Sequence, residues 1–92
     1  MIKSWNTSAS RQFFETGKSK FSGLDVTKAQ TCLAQLHAAA ALSDLSPLKS
    51  LGLQKLKGER RKFWAINISG PWRIVFRFEN GDAYDVEIVD FH

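Results

Sequence analysis

The spacing of apolar residues changes period after Gly52, and this change divides the chain into a helical half and a strand half. From about Asp25, the residues Val26, Ala29, Leu33, Leu36 and Ala40 recur at steps of three and four. That spacing is one buried stripe of a long helix, rich in alanine and free of Gly or Pro until the Ser43–Pro47 region. Beyond Gly52 the period is two. Trp64, Ile66 and Ile68 share one face, and Gly70-Pro71 breaks the run. Trp72, Ile74, Phe76 and Phe78 then lie opposite Arg73, Val75 and Arg77. In the last run Tyr84, Val86 and Ile88 alternate with Asp85, Glu87 and Val89. Helices first and a meander after them predict an α+β layer, and 92 residues leave room for one domain spanning 1–92.

Local signals fix the ends of these elements. Thr7-Ser8 offers an N-cap and Gly17 a C-cap for a short first helix carrying Phe13 and Phe14. Leu45-Ser46-Pro47 ends the long helix or starts a short extra turn, and residues 1–5 suit an early strand. Asn80-Gly81 signals a hairpin. A three-residue loop, Asn80-Gly81-Asp82, pairs Phe78 with Tyr84, Phe76 with Val86 and Ile74 with Ile88, and sets Arg77 beside Asp85. A two-residue loop misaligns the apolar sets, so the three-residue loop is expected. The expected product is two N-terminal helices on one face of a mainly antiparallel sheet, with Arg73 and Arg77 on the other.

Charge is concentrated rather than spread. Between Lys49 and Arg77 lie eight basic residues (Lys49, Lys55, Lys57, Arg60, Arg61, Lys62, Arg73 and Arg77) against one acidic residue, Glu59. The remainder of the chain is net acidic although the whole carries +4. Such a segment suits a surface that grips phosphates; a solvated basic face is the simpler reading. The lone Cys32 cannot form an internal disulfide, which fits a reducing cytoplasm. The opening residues lack the apolar run of a signal peptide, and Ala38 to Leu42 is too short to span a bilayer, so a soluble cytoplasmic protein is expected.

The chemistry narrows by elimination. There is no HExxH motif, no cysteine cluster and no Gly-rich loop ending in Lys-Ser/Thr, so neither a metal nor another cofactor is expected. What remains is His92 beside a basic, aromatic-bearing sheet. RNA can be cleaved without a metal when a base takes the 2′-hydroxyl proton, cations stabilise the phosphorane and an acid protonates the leaving 5′ oxygen. Histidine suits either proton role. The carboxylate of its own terminus and Asp90 favour the imidazolium, which is the form of a general acid, and a base role stays open. Lys57, Arg60, Arg73 and Arg77 are candidate phosphate clamps.

Five stretches taken in order carry a resemblance. Leu56-Lys57-Gly58-Glu59-Arg60, Trp64-Ala65-Ile66, Trp72-Arg73-Ile74-Val75-Phe76, Asn80-Gly81-Asp82-Ala83 and Val89-Asp90-Phe91-His92 are similar to the HigB toxins, the host-inhibition branch of the RelE superfamily in type II toxin–antitoxin systems. Met1-Ile2-Lys3-Ser4 and Phe13-Phe14-Glu15-Thr16-Gly17 also resemble the family's opening. The resemblance implies a RelE-like fold and ribosome-dependent cleavage of mRNA in the A site. It implies as partner a helix-turn-helix, HigA-like antitoxin that binds the shared promoter DNA. It assigns Lys57 and Arg73 to the phosphate and transition state, Asp90 to the active site as a carboxylate and His92 to proton transfer. Lys55, Arg60, Arg77 and Phe91 become candidate RNA contacts. Relatives usually end Asp-Tyr-His, whereas Phe91 stands here; its ring can stack on a base, worth about 1–3 kcal/mol, but it carries no proton.

Each residue also has a plainer role. Trp64 and Trp72 fit the core, Cys32 a small core site, and His37 a structural or solvated position. Arg77 suits a cross-strand pair with Asp85 as well as it suits RNA. Two other functions stay in view: a basic sheet that docks on RNA or the ribosome without cutting, and a protein-binding growth inhibitor.

Overall fold

A computed structural model describes residues 1–48 and 51–91. Helix α1 spans Ser8–Thr16 and helix α2 spans Val26–Ala38. Strand β1 is Gln54–Lys55, β2 Trp64–Ser69, β3 Trp72–Glu79 and β4 Asp82–Asp90. The strands form one antiparallel sheet in the order β1-β2-β3-β4. Residues 1–6 continue it along the free edge of β4 through parallel bridges Ile2–Ala83 and Trp5–Val86, as the early strand expected there.

Both caps of α1 fall where the sequence puts them. The Thr7 hydroxyl accepts from the Ser10 N–H, and Gly17 ends the helix at φ 76, a left-handed conformation in which glycine carries no Cβ penalty. Helix α2 starts on the Asp25 carboxylate and buries Ala29, Cys32, Leu33 and Leu36. It stops at Ala38, well before Ser43, because another partner captures the chain. The Asp44 carboxylate accepts from the N–H groups of Ala40 and Ala41, holding them outside the helix and opening a 3₁₀ turn at Leu42–Asp44. Two charge-assisted hydrogen bonds thus outweigh the helix propensity of alanine, which is worth only tenths of a kcal/mol per residue, about 0.7 at most against ordinary residues.

One cluster joins the layers. Phe13 of α1 and Leu33 and Leu36 of α2 pack with Ile66, Ile68, Ile74, Phe76, Val86 and Ile88, all nearly or fully buried. Trp64 and Trp72 flank this cluster, as core residues.

The β3–β4 hairpin corrects the expected register. Glu79 pairs with Asp82, so the loop is the two-residue Asn80-Gly81, with φ 50 and 83 at its two positions. Positive φ at both central residues is the type I′ requirement, and it matches the twist of the flanking strands. The misalignment this causes is absorbed within β4 by a bulge between Arg77–Tyr84 and Val75–Glu87, where Asp85 takes φ 52. Ile74 therefore still meets Ile88, but Phe78 meets Ala83, and Tyr84 moves to the side of Arg77.

Candidate RNA-contacting site

Strand alternation sends Arg73, Val75 and Arg77 away from the cluster that Ile74 and Phe76 join. Val75 and its cross-strand neighbour Ala65 are buried too, so this second face has a small apolar floor between two arginines. Beside it runs the β1–β2 connection. Lys55 ends β1 with its ammonium 4.6 Å from the Trp64 ring centroid. Lys57 precedes a 3₁₀ turn, Gly58–Arg60, and Arg61 closes that turn. Among the described residues, Lys57, Arg60, Arg61 and Lys62 are exposed and enter no ion pair. Their charge is therefore uncompensated by contact, as a phosphate-binding surface requires.

The two arginines of β3 differ in their engagement. Arg77 donates from Nε to Asp85 at 2.8 Å and from Nη1 to Glu79 at 2.9 Å, and its guanidinium lies over the Tyr84 ring. The Asp85 hydrogen bond raises its already high pKa further. The cross-hairpin pair foreseen for Arg77 thus exists, in competition with RNA contact. Arg73 instead donates from Nη1 to the carbonyls of Gly70 at 2.6 Å and Trp72 at 2.9 Å. Among the described residues its Nε and Nη2 make no hydrogen bond, which leaves an edge of the fork shaped for a phosphate.

Three expected site residues gather at one end of the sheet. Arg73 pairs with Val89, Asp90 pairs with Trp72, and the Phe91 N–H donates to the Pro71 carbonyl at 2.7 Å. Phe91 is exposed and available for stacking. Asp90 is exposed and engaged with a partner. His92 lies outside the described residues, as does Lys49 of the basic segment. Lys57 and Arg60 stand at the other end of β2. Leu56 bonds to Phe63 whereas Arg73 pairs with Asn67, a separation of four residues, or about 13 Å at strand rise. The structure thus groups Arg73, Asp90 and Phe91 but does not bring Lys57 into contact with them.

Sequence reasoning missed the Gly70-Pro71 turn as a site element and treated it only as a break. Its signal was present: Gly-Pro in a two-residue gap between alternating runs. Cys32 is buried, its thiol donating to the Asn67 carbonyl at 3.5 Å, and burial pushes its pKa up. His37 accepts from the Ile2 N–H at Nδ1 and packs on Phe14, a structural role. A groove of about 380 Å³ along residues 3–8 and Arg11 borders the opposite edge of the sheet from β1, and Ser4, Asn6 and Thr7 in it are tied to Asp85, Glu87 and Ser10.

Two helices and a four-stranded antiparallel sheet make an α+β layer consistent with a RelE-like fold. Residues 3–92 match the family described as RelE-like toxin of type II toxin-antitoxin system HigB. The chain belongs to this HigB-like toxin family. It is 34% identical over 93 residues, covering the full length of both chains, to a protein of Proteus vulgaris named Endoribonuclease HigB.

Proposed function

We propose that the chain, acting as one domain in the cytoplasm, is an endoribonuclease that cuts mRNA in the ribosomal A site without a metal or other cofactor. The observation that carries this reading is Arg73: its guanidinium is fixed by neutral carbonyls, keeps a phosphate-shaped edge open, and stands where the strand leading to His92 ends. With both helices packed on one face of the sheet, the other face and the β1–β2 cations receive the RNA. Lys57 and Arg73 stabilise the phosphorane as the 2′ hydroxyl gives its proton to water, its oxygen attacks phosphorus and the bond to the 5′ oxygen breaks. His92 donates the proton to the leaving oxygen, and Asp90 favours its charged form. Lys55, Arg60 and Phe91 hold flanking RNA, and Arg77 joins them to the extent that Asp85 and Glu79 release it. The partner is a helix-turn-helix, HigA-like antitoxin through which the pair binds its promoter DNA.

Induced expression of the wild type and His92→Gln in bacteria, with growth scored and cellular mRNA mapped by primer extension, tests this. The expected result is growth arrest with new cuts inside translated frames, both lost in the variant. Arrest that survives the substitution without cuts would replace the nuclease by an RNA- or protein-binding inhibitor.

A further inference from the structure

Three consecutive carbonyls of the β2–β3 turn are occupied by the two parts of the proposed site. Gly70 and Trp72 hold both protons of Arg73 Nη1, and Pro71 between them holds the Phe91 N–H. Pro71 has no N–H to return, so its carbonyl makes the last described link of β4 to the sheet, one residue before His92. The turn is itself clamped to the core: the Trp72 ring meets Phe21 edge-on at 5.7 Å, and Phe21 meets the fully buried Phe13 at 6.4 Å. Gly70 takes φ 53 at the first position of this two-residue turn, a conformation that glycine adopts without a Cβ penalty.

We infer that Gly70 and Pro71 are positioning residues, and that their turn sets the Arg73 guanidinium and the Phe91 end of β4 at a fixed mutual distance. This rests on the proposed assignment of Arg73 and His92 to the chemistry. A guanidinium has five N–H donors; the turn takes two and orients the remaining three, which an ammonium on a flexible stem cannot reproduce. A single rotation of the Gly70 or Pro71 peptide moves both the arginine and the strand end, because neighbouring carbonyls hold them. Misplacement by about 1 Å costs on the order of 100-fold in rate for groups that must meet one reacting phosphate.

The structure supplies a clean perturbation. A Cβ at Gly70 would meet nothing within 4 Å, so a side chain there alters backbone preference without a clash. Gly70→Val resists the positive φ most strongly, and Gly70→Asn resists it less. Purified toxins are compared on mRNA held by programmed ribosomes, with kcat and KM separated, and the Phe91 amide followed by hydrogen exchange. Gly70→Val is expected to lower kcat roughly 10- to 100-fold with KM within about twofold and to lose Phe91 protection. Gly70→Asn, the less strained of the two, is expected to fall between Gly70→Val and wild type in kcat. Arg73→Ala and His92→Gln run beside them. Wild-type kcat in Gly70→Val, with both controls inactive, overturns the positioning role and leaves the nuclease reading intact. Wild-type activity in the controls overturns both. Should Gly70→Val not fold, Pro71→Ala, which keeps the carbonyl but frees φ, must show the kcat loss and weakened Phe91 protection, and its absence is equally decisive.

Discussion

Replacing Ser10 by alanine removes one oxygen from the interior, and the structure defines what that oxygen does. Ser10 is fully buried. The edge of β4 presents its N–H groups to the N-terminal segment, where Ala83 donates to Met1, Asp85 to the Ser4 hydroxyl and Val86 to the Ser4 carbonyl. The chain then turns away at Thr7 to start α1, and the next donor, Ile88 N–H, is met by Ser10 Oγ at 3.0 Å. That oxygen also accepts from the Thr7 hydroxyl at 2.8 Å. Alanine fits the same space, so the cost is the unpaired Ile88 N–H, about 1–3 kcal/mol for a buried donor; Thr7 is half-exposed and recovers a water. Taking about 2 kcal/mol, and about 4–8 °C per kcal/mol for a domain near this size, Tm should fall by roughly 8–16 °C. Thermal melts followed by circular dichroism measure this, with a urea titration in which the midpoint falls at constant slope. Thr7→Ser, which keeps the cap, serves as the control. A Tm within about 2 °C of wild type, well under 1 kcal/mol, would show that Ile88 N–H finds another partner and would refute the account of how this sheet edge is closed.

Asp85→Val should destabilise more than Asp85→Asn: valine resists φ 52 at a cost of about 1–2 kcal/mol, whereas asparagine adopts it and keeps a hydrogen-bond acceptor for Arg77, and equal melting temperatures would contradict the bulge. The Cys32 thiol should resist alkylation in the native protein and react at once in urea. Because the folded state holds that proton to higher pH than the unfolded chain, stability should decline as pH rises from the ordinary thiol range through the raised one; titrating the urea midpoint against Cys32→Ala, which should lack this decline, checks the sign. Lys57→Ala should weaken RNA binding across sequences and lower the salt slope by roughly 0.7, the contribution of one contact to a single strand, as filter binding at several salt concentrations would read. Arg73→Lys should lose nearly as much kcat as Arg73→Ala, since one ammonium cannot hold two carbonyls and grip a phosphate bidentately; retention of more than half the activity would count against the fork.

The apolar period carried most of the fold. Alternation around Ile66, Ile68, Ile74 and Phe76 located β2 and β3, and Thr7 and Gly17 located α1, because these signals are local. Three features escaped because a distant or compensating partner creates them. Helix α2 ends early only because Asp44 reaches back to Ala40 and Ala41. The hairpin loop and the bulge at Asp85 are two shifts that cancel by Ile74–Ile88, so the apolar pairing expected from one loop is delivered by another. Strand β1 is two residues long and both are exposed, which leaves no period to read. At the candidate site, residue types and charge were legible at Lys57, Arg73 and Asp90. The grouping of Arg73 with Asp90 and Phe91 was not, because it depends on which carbonyls the β2–β3 turn presents.

Arg73 and Arg77 show what such grouping adds to sequence. They are the same residue type on the same strand, four positions apart and on one face, and composition cannot rank them. The hairpin distinguishes them. Its bulge delivers Asp85 to Arg77, and Glu79 completes two ion pairs, so that guanidinium is held at the expense of its net field. Arg73 lies at the opposite turn, where among the described residues its donors meet only backbone carbonyls. Carbonyl dipoles orient a guanidinium, less strongly than carboxylates do, but leave its unit charge uncancelled. An RNA phosphate approaching this face therefore meets one arginine that is both oriented and fully charged, and one whose charge is already answered. That asymmetry is what favours the β2–β3 end of the sheet in the proposed site.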